Sequence, residues 1–436
     1  MALDRRSFLT ALGAGAVALT ATSARARAPK KVKVDEPKPG KKTDVPAETH
    51  GGPITLPAWP HGQVSSAPDA MLMFRGNPAH TFYGTGPIPR DKPKILWKHR
   101  MEDFETLYYG EPFTWRGTGW TGQPIVYGGY VWIGSQGRSL YCFEADSGTL
   151  RWRYQCSRQI KGTGCLWDNK LYIGCVDDNL RCFDAATGRV LWRVDTGNDL
   201  DSSPCVVDGK LFIAGENGHA RAVDPLTGKQ LWKTFVGGIN RGKKTGSYGA
   251  ETAPAVVDGE YYCANYDGEL WRLDAATGAK RWIAKTGDDT DASPVVVGEL
   301  VFAAAQDKSP YVYAFQRDDG REVWKHKMPG GLWGTPAVIG NDLWIGSAKG
   351  DLACLEATTG RVRWSVKLGA PTWASPVVID GMLVIGDFEG QLHGIEAATG
   401  KARWSMKLGG RIHSTPAVLG GRIWIGSTDG FFYGIG

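Results

Sequence analysis

The stretch CFDAATGRVLW, residues 182–192, recurs along the chain in an almost unchanged frame. It begins with an apolar pair, turns through Thr187-Gly188 and ends on a tryptophan. Six other stretches follow it: CFEADSGTLRW at 142–152, AVDPLTGKQLW at 222–232, RLDAATGAKRW at 272–282, AFQRDDGREVW at 314–324, CLEATTGRVRW at 354–364 and GIEAATGKARW at 394–404. Recurrence at a period of about 40–50 residues indicates a repeat architecture.

A complete repeat is longer than the quoted stretch. Residues 202–232 read SSPCVVDGKLFIAGENGHARAVDPLTGKQLW, which gives four short apolar runs separated by turns. Such runs are typical of β-strands, and Asp208-Gly209 suits a tight hairpin. The terminal tryptophan supplies a large apolar plate between neighbouring sheets. Four strands per unit predict one blade of a β-propeller.

Eight units are present, beginning near residues 120, 163, 202, 252, 292, 334, 374 and 414. The last unit has three strands and lacks the tryptophan strand. The stretch KILWK around Trp97 has the ending of the repeat without its beginning. The sequence therefore predicts an all-β, eight-bladed propeller of four-stranded antiparallel blades, closed by the N-terminal strand around Trp97 joining the three C-terminal strands.

Charge and hydropathy exclude two classes of protein. The net charge of +6 arises in residues 1–42, which carry an excess of seven positive charges, and the remainder is nearly neutral at −1. A nearly neutral body lacks the basic footprint of a nucleic-acid-binding protein. No segment reaches the roughly 18 consecutive apolar residues of a transmembrane helix.

The N-terminus is typical of an export signal. Asp4-Arg5-Arg6-Ser7-Phe8-Leu9 precedes a short apolar run and Ala-x-Ala sites, a pattern that resembles a twin-arginine (Tat) signal. The alternative is a basic amphipathic arm. We predict a signal peptide at 1–28, a Lys/Pro/Gly-rich disordered linker at 29–69 and the propeller at 70–436. The signal predicts a periplasmic or extracellular protein, and because no cysteine precedes Cys142, we expect no lipid anchor. We also expect a monomer.

The repeat A-x-D-x-x-T-G-K-x-x-W resembles the tryptophan-docking repeat of the pyrroloquinoline quinone (PQQ)-like β-propellers over residues 70–436. The stretch MFRGNPAHTFYGTGPIP at 73–89 also resembles the opening segment of exported proteins of this kind. The family contains PQQ-dependent dehydrogenases and a non-enzymatic, BamB-like branch. The PQQ alcohol dehydrogenases carry adjacent cysteines that cover the cofactor, and this sequence has no Cys-Cys pair. The resemblance therefore favours the non-enzymatic branch.

Most of the eight cysteines follow the repeat frame. Cys142, Cys182 and Cys354 share one position, and Cys165 and Cys205 share another; alanine or glycine stands there in other blades. These cysteines are expected to be small buried residues. Cys156 and Cys175 are the least constrained by the frame, and the sequence leaves open whether they pair.

One set of candidate site residues comes from the frame itself. The residue three before each S/T-x-P-type proline, or its equivalent Gly164, should face one mouth of the central channel. Around the ring these are Thr121, Lys161, Asp201, Glu251, Asp291, Trp333, Trp373 and His413. Carboxylates opposite aromatic rings suit a polar or cationic ligand, and converging oxygens suit Ca²⁺. The alternative is a hydrated channel with solvated charges.

A second set lies in an insert at residues 101–120 on the same face. Its aromatic residues are Phe104, Tyr108, Tyr109, Phe113, Trp115 and Trp120. Aromatic density on a loop indicates a lid or a protein-binding site, unless the rings pack onto the closing blade. A second insert at 237–250 is basic and rich in glycine.

Three functions follow from these observations. The first is an exported, non-catalytic scaffold that binds a protein or peptide partner through its loop face, without catalytic residues, metal or cofactor. The second is a quinoprotein oxidoreductase that uses PQQ and Ca²⁺. The third is a small-molecule or carbohydrate-binding propeller that uses Trp333 and Trp373.

Overall fold

Strands account for the regular structure of the protein. The computed structural model describes residues 44–59, 62, 67–108, 111–119, 122–237 and 249–436. Within these ranges no α-helix occurs, so none of the described residues belongs to a helix that could cross a membrane. Eight antiparallel sheets form the blades, which confirms the predicted eight-bladed propeller. The predicted signal peptide, residues 1–28, lies outside the described ranges.

Each blade is an up-and-down sheet whose first strand is innermost. Four strands precede the first blade: β1 (Val45–Thr49), β2 (Ile95–Arg100), β3 (Phe104–Tyr108) and β4 (Glu111–Trp115). Blades 1 to 4 contain β5 (Ile125–Tyr127), β6 (Tyr130–Gly134), β7 (Ser139–Glu144), β8 (Leu150–Gln155), β9 (Cys165–Trp167), β10 (Lys170–Gly174), β11 (Asn179–Asp184), β12 (Val190–Asp195), β13 (Cys205–Val207), β14 (Lys210–Gly215), β15 (His219–Val223), β16 (Gln230–Phe235), β17 (Ala255–Val257), β18 (Glu260–Asn265), β19 (Glu269–Asp274) and β20 (Lys280–Lys285). Blades 5 to 8 contain β21 (Val295–Val297), β22 (Leu300–Ala304), β23 (Tyr311–Gln316), β24 (Glu322–Lys327), β25 (Ala337–Ile339), β26 (Asp342–Gly346), β27 (Asp351–Glu356), β28 (Val362–Lys367), β29 (Val377–Ile379), β30 (Met382–Gly386), β31 (Gln391–Glu396), β32 (Ala402–Lys407), β33 (Ala417–Leu419), β34 (Arg422–Gly426) and β35 (Phe431–Ile435).

The repeated tryptophan joins each blade to the next. Its indole N–H donates to a carbonyl in the T-G turn of the following blade, as from Trp152 Nε1 to Ala185 O at 3.1 Å and from Trp324 Nε1 to Ala357 O at 2.9 Å. The indole also occupies the space beside the turn glycine. A Cβ on Gly188 would lie 2.6 Å from the Trp152 ring, and the φ of Gly188 is 70°. The turn therefore requires glycine for both space and backbone conformation.

The ring closes between the two ends of the propeller. β2 pairs antiparallel with β35, which places Trp97 opposite Gly434. Trp97 Nε1 donates to Ala145 O of blade 1 at 3.0 Å, as the other repeat tryptophans do to their neighbours. Blade 8 has no T-G turn, and Trp404 of blade 7 donates instead to Pro89 O at 2.8 Å. The segment before β2 thus supplies the carbonyl that the repeat lacks.

Residues 71–85, here named the cover segment, lie across the innermost strands at one end of the channel. Without counting the Arg75 side chain, they bond to six of the eight blades: Met71 with Val126 at 2.8 and 2.9 Å, Leu72 O with Leu166 N at 2.7 Å, Pro78 O with Val256 N at 2.9 Å, Ala79 O with Val296 N at 3.1 Å, Tyr83 Oη with Val338 N at 2.7 Å, and Thr85 N with Val418 O at 3.1 Å. These bonds satisfy polar groups on the channel-facing edges of the sheets.

Arg75 anchors the cover segment inside the channel. Its side chain is fully buried, and its guanidinium donates to the carbonyls of Thr335, at 2.8 Å, Pro336 and Pro376. The guanidinium carbon lies 4.7 Å from the centroid of the Tyr83 ring. Burial lowers the pKa of Arg75 to about 10, so the group stays charged at neutral pH. One cation therefore joins the cover segment to blades 6 and 7.

The structure differs from the expected disordered linker at Val45–Thr49. This stretch is β1, which pairs antiparallel with β8 and adds a fifth strand to blade 1. The carboxylate of Asp44, just before it, accepts hydrogen bonds from Arg181 at 2.9 Å and Arg193 at 3.0 Å. Four of the five residues of VPAET are exposed, so this strand depends on pairing with the β8 edge and on these ion pairs rather than on a buried apolar face.

Candidate functional site: the channel mouth and the hairpin beside it

Side-chain hydroxyls fix the start of the innermost strands. The residue just before the proline position donates its backbone N–H to the hydroxyl at the same position of the next blade. These bonds are Gln123 N to Thr163 Oγ1 at 2.8 Å, Thr163 N to Ser203 Oγ at 2.8 Å, Ala253 N to Ser293 Oγ at 3.0 Å, Ser293 N to Thr335 Oγ1 at 2.9 Å and Thr335 N to Ser375 Oγ at 2.9 Å. The hydroxyl directly before the proline position thus links adjacent blades, and the candidate residues lie two positions upstream of it.

Three of these mouth residues and one neighbour form a buried charged cluster. Lys161 Nζ forms an ion pair with Asp201, whose side chain is only 2% exposed. One carboxylate oxygen from each of Asp201, Glu216 and Glu251 lies within 4.8 Å of the others. The structure therefore brings together three residues that the frame singles out, Lys161, Asp201 and Glu251. It adds Glu216, which the sequence analysis missed.

The cluster holds more carboxyl groups than its one cation can balance. Burial, together with the carboxylates of Glu251 and Asp201, raises the pKa of Glu216 well above its usual value. Burial and Glu251 also raise the pKa of Asp201, against the opposing effect of Lys161. Burial disfavours the charged form of Lys161, but the surrounding acids outweigh it and raise its pKa. Burial and mutual repulsion thus favour the protonated forms of Asp201 and Glu216.

Asp199 gives this cluster a measurable pH dependence. Burial and the neighbouring Asp201 carboxylate raise its pKa from 3.8 to about 7. Between these two values the folded protein keeps a proton that the unfolded chain has released, so this contribution to stability falls as pH rises. We expect the melting temperature of Asp199→Asn to decline less than that of the unchanged protein from about pH 4 to about pH 7. Calorimetry across this range tests it, and parallel curves would contradict it.

Asp291, the third predicted acid, lies apart from the cluster. Its carboxylate accepts a hydrogen bond from Gln306 Nε2 at 2.7 Å, and both side chains are buried. The three consecutive acids of the frame therefore do not converge on one point. Asp291 and Gln306 form an acid–amide pair outside the group of carboxylates at Asp201, Glu216 and Glu251.

The other half of the mouth is aromatic. Trp333 and Trp373 stack with ring centroids 4.9 Å apart, and the His413 ring lies 5.5 Å from Trp373. Phe388 packs against both Trp373, at 5.0 Å, and His413, at 4.7 Å. Burial, with some effect of Arg411, lowers the pKa of His413 to about 3, so the imidazole is neutral. The predicted aromatic residues therefore meet, and they pack on one another.

Glu216, Gln306 and Phe388 share a frame position that the sequence analysis overlooked. Each follows the second strand of its blade, and its backbone N–H bonds to the carbonyl two residues before the mouth residue of the same blade. The seven members of this second ring are Val176, Glu216, Tyr266, Gln306, Ala348, Phe388 and Thr428, with N–H···O distances of 2.9–3.1 Å. The signal was available in the sequence, because each member lies 15 residues after the mouth residue of its blade, as Glu216 does after Asp201.

The aromatic insert forms a hairpin that belongs to none of the eight blade sheets. Its strands β3 and β4 pair only with each other, with Phe104 opposite Trp115. Leu107 near the tip is 64% exposed. Phe113 and Trp115 meet edge to face at 4.8 Å. Of the remaining candidates, Tyr109, Trp120 and the mouth residue Thr121 lie outside the described residues, and only the main chain of Tyr108 is described.

The base of the hairpin lies on the same face as the channel mouth. A Cβ on Gly119, just after β4, would lie 2.8 Å from Lys161 O. The Arg138 guanidinium of blade 1 covers the Phe104 ring at 4.4 Å. An open cleft of about 530 Å³ beside β2 is lined by Arg100, Met101, Glu102, Asp103 and Gln155. The hairpin β3–β4, the residues that line this cleft and the channel-mouth residues therefore lie beside one another. We name these three groups of residues together the loop face.

Comparison with known proteins agrees with this architecture. The family model of the outer membrane protein assembly factor BamB matches residues 90–325, 308–388 and 380–435. The quinohemoprotein alcohol dehydrogenase of Comamonas testosteroni superposes with a TM-score of 0.69 at 14% identity, covering 85% of this chain and 81% of its own. ADHIIG, a quinohemoprotein alcohol dehydrogenase of Pseudomonas putida HK5, gives 0.68 at 15%, covering 82% and 75%. BamB of Moraxella catarrhalis gives 0.54 at 17%, covering 90% and 99%. Such identities establish the fold alone, and no curated protein matches the chain.

Proposed function

The chain belongs to the family of the outer membrane protein assembly factor BamB, and on that premise we propose that it is an exported, non-catalytic propeller. It binds a protein or peptide partner through its loop face. The twin-arginine pattern supports export, and the family supports a protein partner. The eight blades supply a rigid ring, and the specific contacts come from what projects beyond them.

The hairpin β3–β4 is the observation that carries this proposal. It stands outside the blade sheets, and a two-stranded hairpin is only marginally stable by itself. Its tip exposes Leu107, and half-buried Phe104, Phe113 and Trp115 line its base. Apolar side chains in such a position gain burial when a partner covers them, and aromatic residues dominate the energy of protein interfaces.

The cleft beside the hairpin supplies a charged rim. Asp103 accepts hydrogen bonds from Arg100 at 2.9 Å and from Arg116 at 3.0 Å. Glu102 forms an ion pair with Arg153. An apolar centre with a polar, solvent-exposed rim is the usual anatomy of a protein–protein interface. These charges would set the orientation of the partner more than its affinity.

A photocrosslinking amino acid at position 107 tests the proposal in cells. We expect one discrete crosslinked protein, because Leu107 would lie within the interface. The matched control is position 226, where Leu226 is 59% exposed in a T-G turn at the opposite end of its blade. Phe113→Ser should abolish the crosslink at 107. Equal crosslinking at 107 and 226, or no effect of Phe113→Ser, would contradict the proposal.

The acid cluster favours a second candidate function, that of a PQQ- and Ca²⁺-dependent oxidoreductase. Asp201, Glu216 and Glu251 offer the oxygen donors that Ca²⁺ prefers. The cofactor is itself a polycarboxylate, however, and these buried carboxyl groups outnumber the one cation of the cluster, Lys161, so the cluster fits the ion better than the quinone. Titration with PQQ, with and without Ca²⁺, separates the two functions. Stoichiometric Ca²⁺-dependent binding that Asp201→Ala abolishes would support the oxidoreductase.

A further inference from the structure

Two cysteine thiols meet at the junction of blades 1 and 2. Cys156 directly follows β8 and Cys175 directly follows β10. Their sulfur atoms lie within 4.8 Å of each other, and the residues are 1% and 0% exposed. We propose that Cys156 and Cys175 form a disulfide in the exported protein, and that this bond staples blade 1 to blade 2. The inference does not depend on the proposed partner.

The position of the pair in the fold suits a disulfide. Both cysteines lie immediately after the end of a strand, Cys156 after β8 and Cys175 after β10. The frame cysteines, by contrast, lie within strands: Cys142 is in β7, Cys182 in β11 and Cys354 in β27. The two sulfurs already lie within 4.8 Å of each other, so an S–S bond requires only that these side chains approach further.

The neighbours of the thiols favour a disulfide over a metal ion. Asp177 is the third potential ligand, with an oxygen within 4.8 Å of both sulfurs. Its carboxylate already accepts hydrogen bonds from the buried Arg181 guanidinium at 2.6 and 2.8 Å. Burial would raise the pKa of Asp177, but Arg181 outweighs it and lowers that pKa to about 2. A fixed guanidinium beside the sulfurs opposes a divalent cation and leaves an uncharged S–S bond unaffected.

The disulfide would also stabilise the attachment of the N-terminal strand β1 to the propeller. Arg181 joins Asp177 to Asp44, the residue before β1. The third strand of blade 2, which holds Arg181, and the residue that precedes β1 therefore meet in one ionic network. A covalent bond at Cys156–Cys175 closes a loop of about 20 residues, which in the chain-entropy picture restricts the unfolded chain.

The Cys156–Cys175 bond can form by thiol–disulfide exchange. The two S–H bonds break and one S–S bond forms between Cys156 and Cys175. Two electrons and both protons pass to an incoming disulfide, carried by a protein or a small molecule of an oxidising compartment, which becomes two thiols. Burial raises the pKa of the Cys175 thiol well above its usual value. Exchange with the buried thiols of the folded protein is therefore slow, so the bond forms while folding still leaves the thiols accessible, and reduced and oxidised samples stay distinct during measurement.

Thiol counting on the mature chain tests the inference. The protein, refolded with a glutathione redox couple, is denatured, alkylated and weighed by mass spectrometry. Because the chain has eight cysteines, we expect six labels before reduction and eight after, with Cys156 and Cys175 in one disulfide-linked peptide. Eight labels without reduction, or a zinc ion bound with both thiols free, would overturn the inference.

A stability measurement gives an independent readout. Reduction should lower the melting temperature by roughly 5 °C, since opening the crosslinked loop restores conformational entropy to the unfolded chain. The Cys156→Ala/Cys175→Ala variant should melt at one temperature in both redox states. Cys354→Ala is the matched control, because it removes one buried cysteine of the frame and should keep the redox difference. The proposed disulfide would be contradicted if Cys354→Ala lost the difference in melting temperature between reduced and oxidised protein. It would equally be contradicted if the double variant kept that difference.

Discussion

Arg75→Met should lower the free energy of unfolding by about 3–5 kcal/mol, the largest effect expected of a single substitution here. The guanidinium is fully buried and bonds to the carbonyls of Thr335, Pro336 and Pro376. Methionine fills much of the volume but donates no hydrogen bond, so three buried acceptors lose their donor. Chemical denaturation followed by tryptophan fluorescence measures the loss.

Two variants make this result specific. Arg75→Lys should recover only part of the stability, because an ammonium group cannot reproduce the planar donor geometry of a guanidinium. Arg90→Met alters an exposed arginine just after the cover segment and should change the free energy of unfolding by less than about 0.5 kcal/mol. If Arg75→Met were no worse than Arg90→Met, the cover segment would not be held through the channel.

Trp97→Ala should cost about 3 kcal/mol and should also loosen the ring at its closure. The Trp97 ring contacts Phe432 with centroids 5.6 Å apart, and its N–H donates to Ala145 O at 3.0 Å. β2 is the strand that completes blade 8 from the other end of the chain. When the loss of the Trp97 side chain loosens β2, the edge of β35 becomes exposed to solvent. The backbone amide hydrogens of β35 should then exchange faster.

Trp364→Ala is the matched control for this prediction. Trp364 is likewise half-buried, and its N–H donates to Ala397 O at 3.0 Å. Its strand β28 follows β27 along the chain, so its blade is closed by a covalent connection. We expect a similar loss of stability without faster exchange in β35. Equal exchange in the two variants would mean that the β2–β35 closure has no special weakness.

The fold could be predicted from the sequence because its decisive contact lies within the repeat. The indole of one blade occupies the space beside the turn glycine of the next, as Trp152 does beside Gly188, so tryptophan and glycine recur together. The incomplete final repeat and the isolated Trp97 then indicate how the ring closes. β1 and the cover segment were not predicted. β1 pairs with the edge of β8, and the cover segment bonds to the innermost strands of many blades, so neither contact imposes a periodic pattern on the residues of the segment itself.

The channel mouth was only partly predictable. The frame locates backbone positions around the mouth, and the structure places three of those residues, Lys161, Asp201 and Glu251, in one cluster. It could not show that Asp291 bonds to Gln306 or that Trp333 and Trp373 stack. The contacts of the mouth residues also depend on the second ring. Its residues lie in the turn after the second strand of each blade, and the frame of the mouth residues does not include them.

The measurement that tests the central claim most directly is the affinity of the crosslinked partner, once purified, for three forms of the protein. We predict that the double variant Leu107→Ser/Phe113→Ser loses at least about tenfold in affinity, since two apolar contacts at an interface contribute more than about 1.4 kcal/mol. Trp333→Ala, which alters the channel mouth, should bind as the unchanged protein does. Normal binding by the hairpin variant together with loss of binding by Trp333→Ala would contradict the account and move the site from the hairpin into the channel.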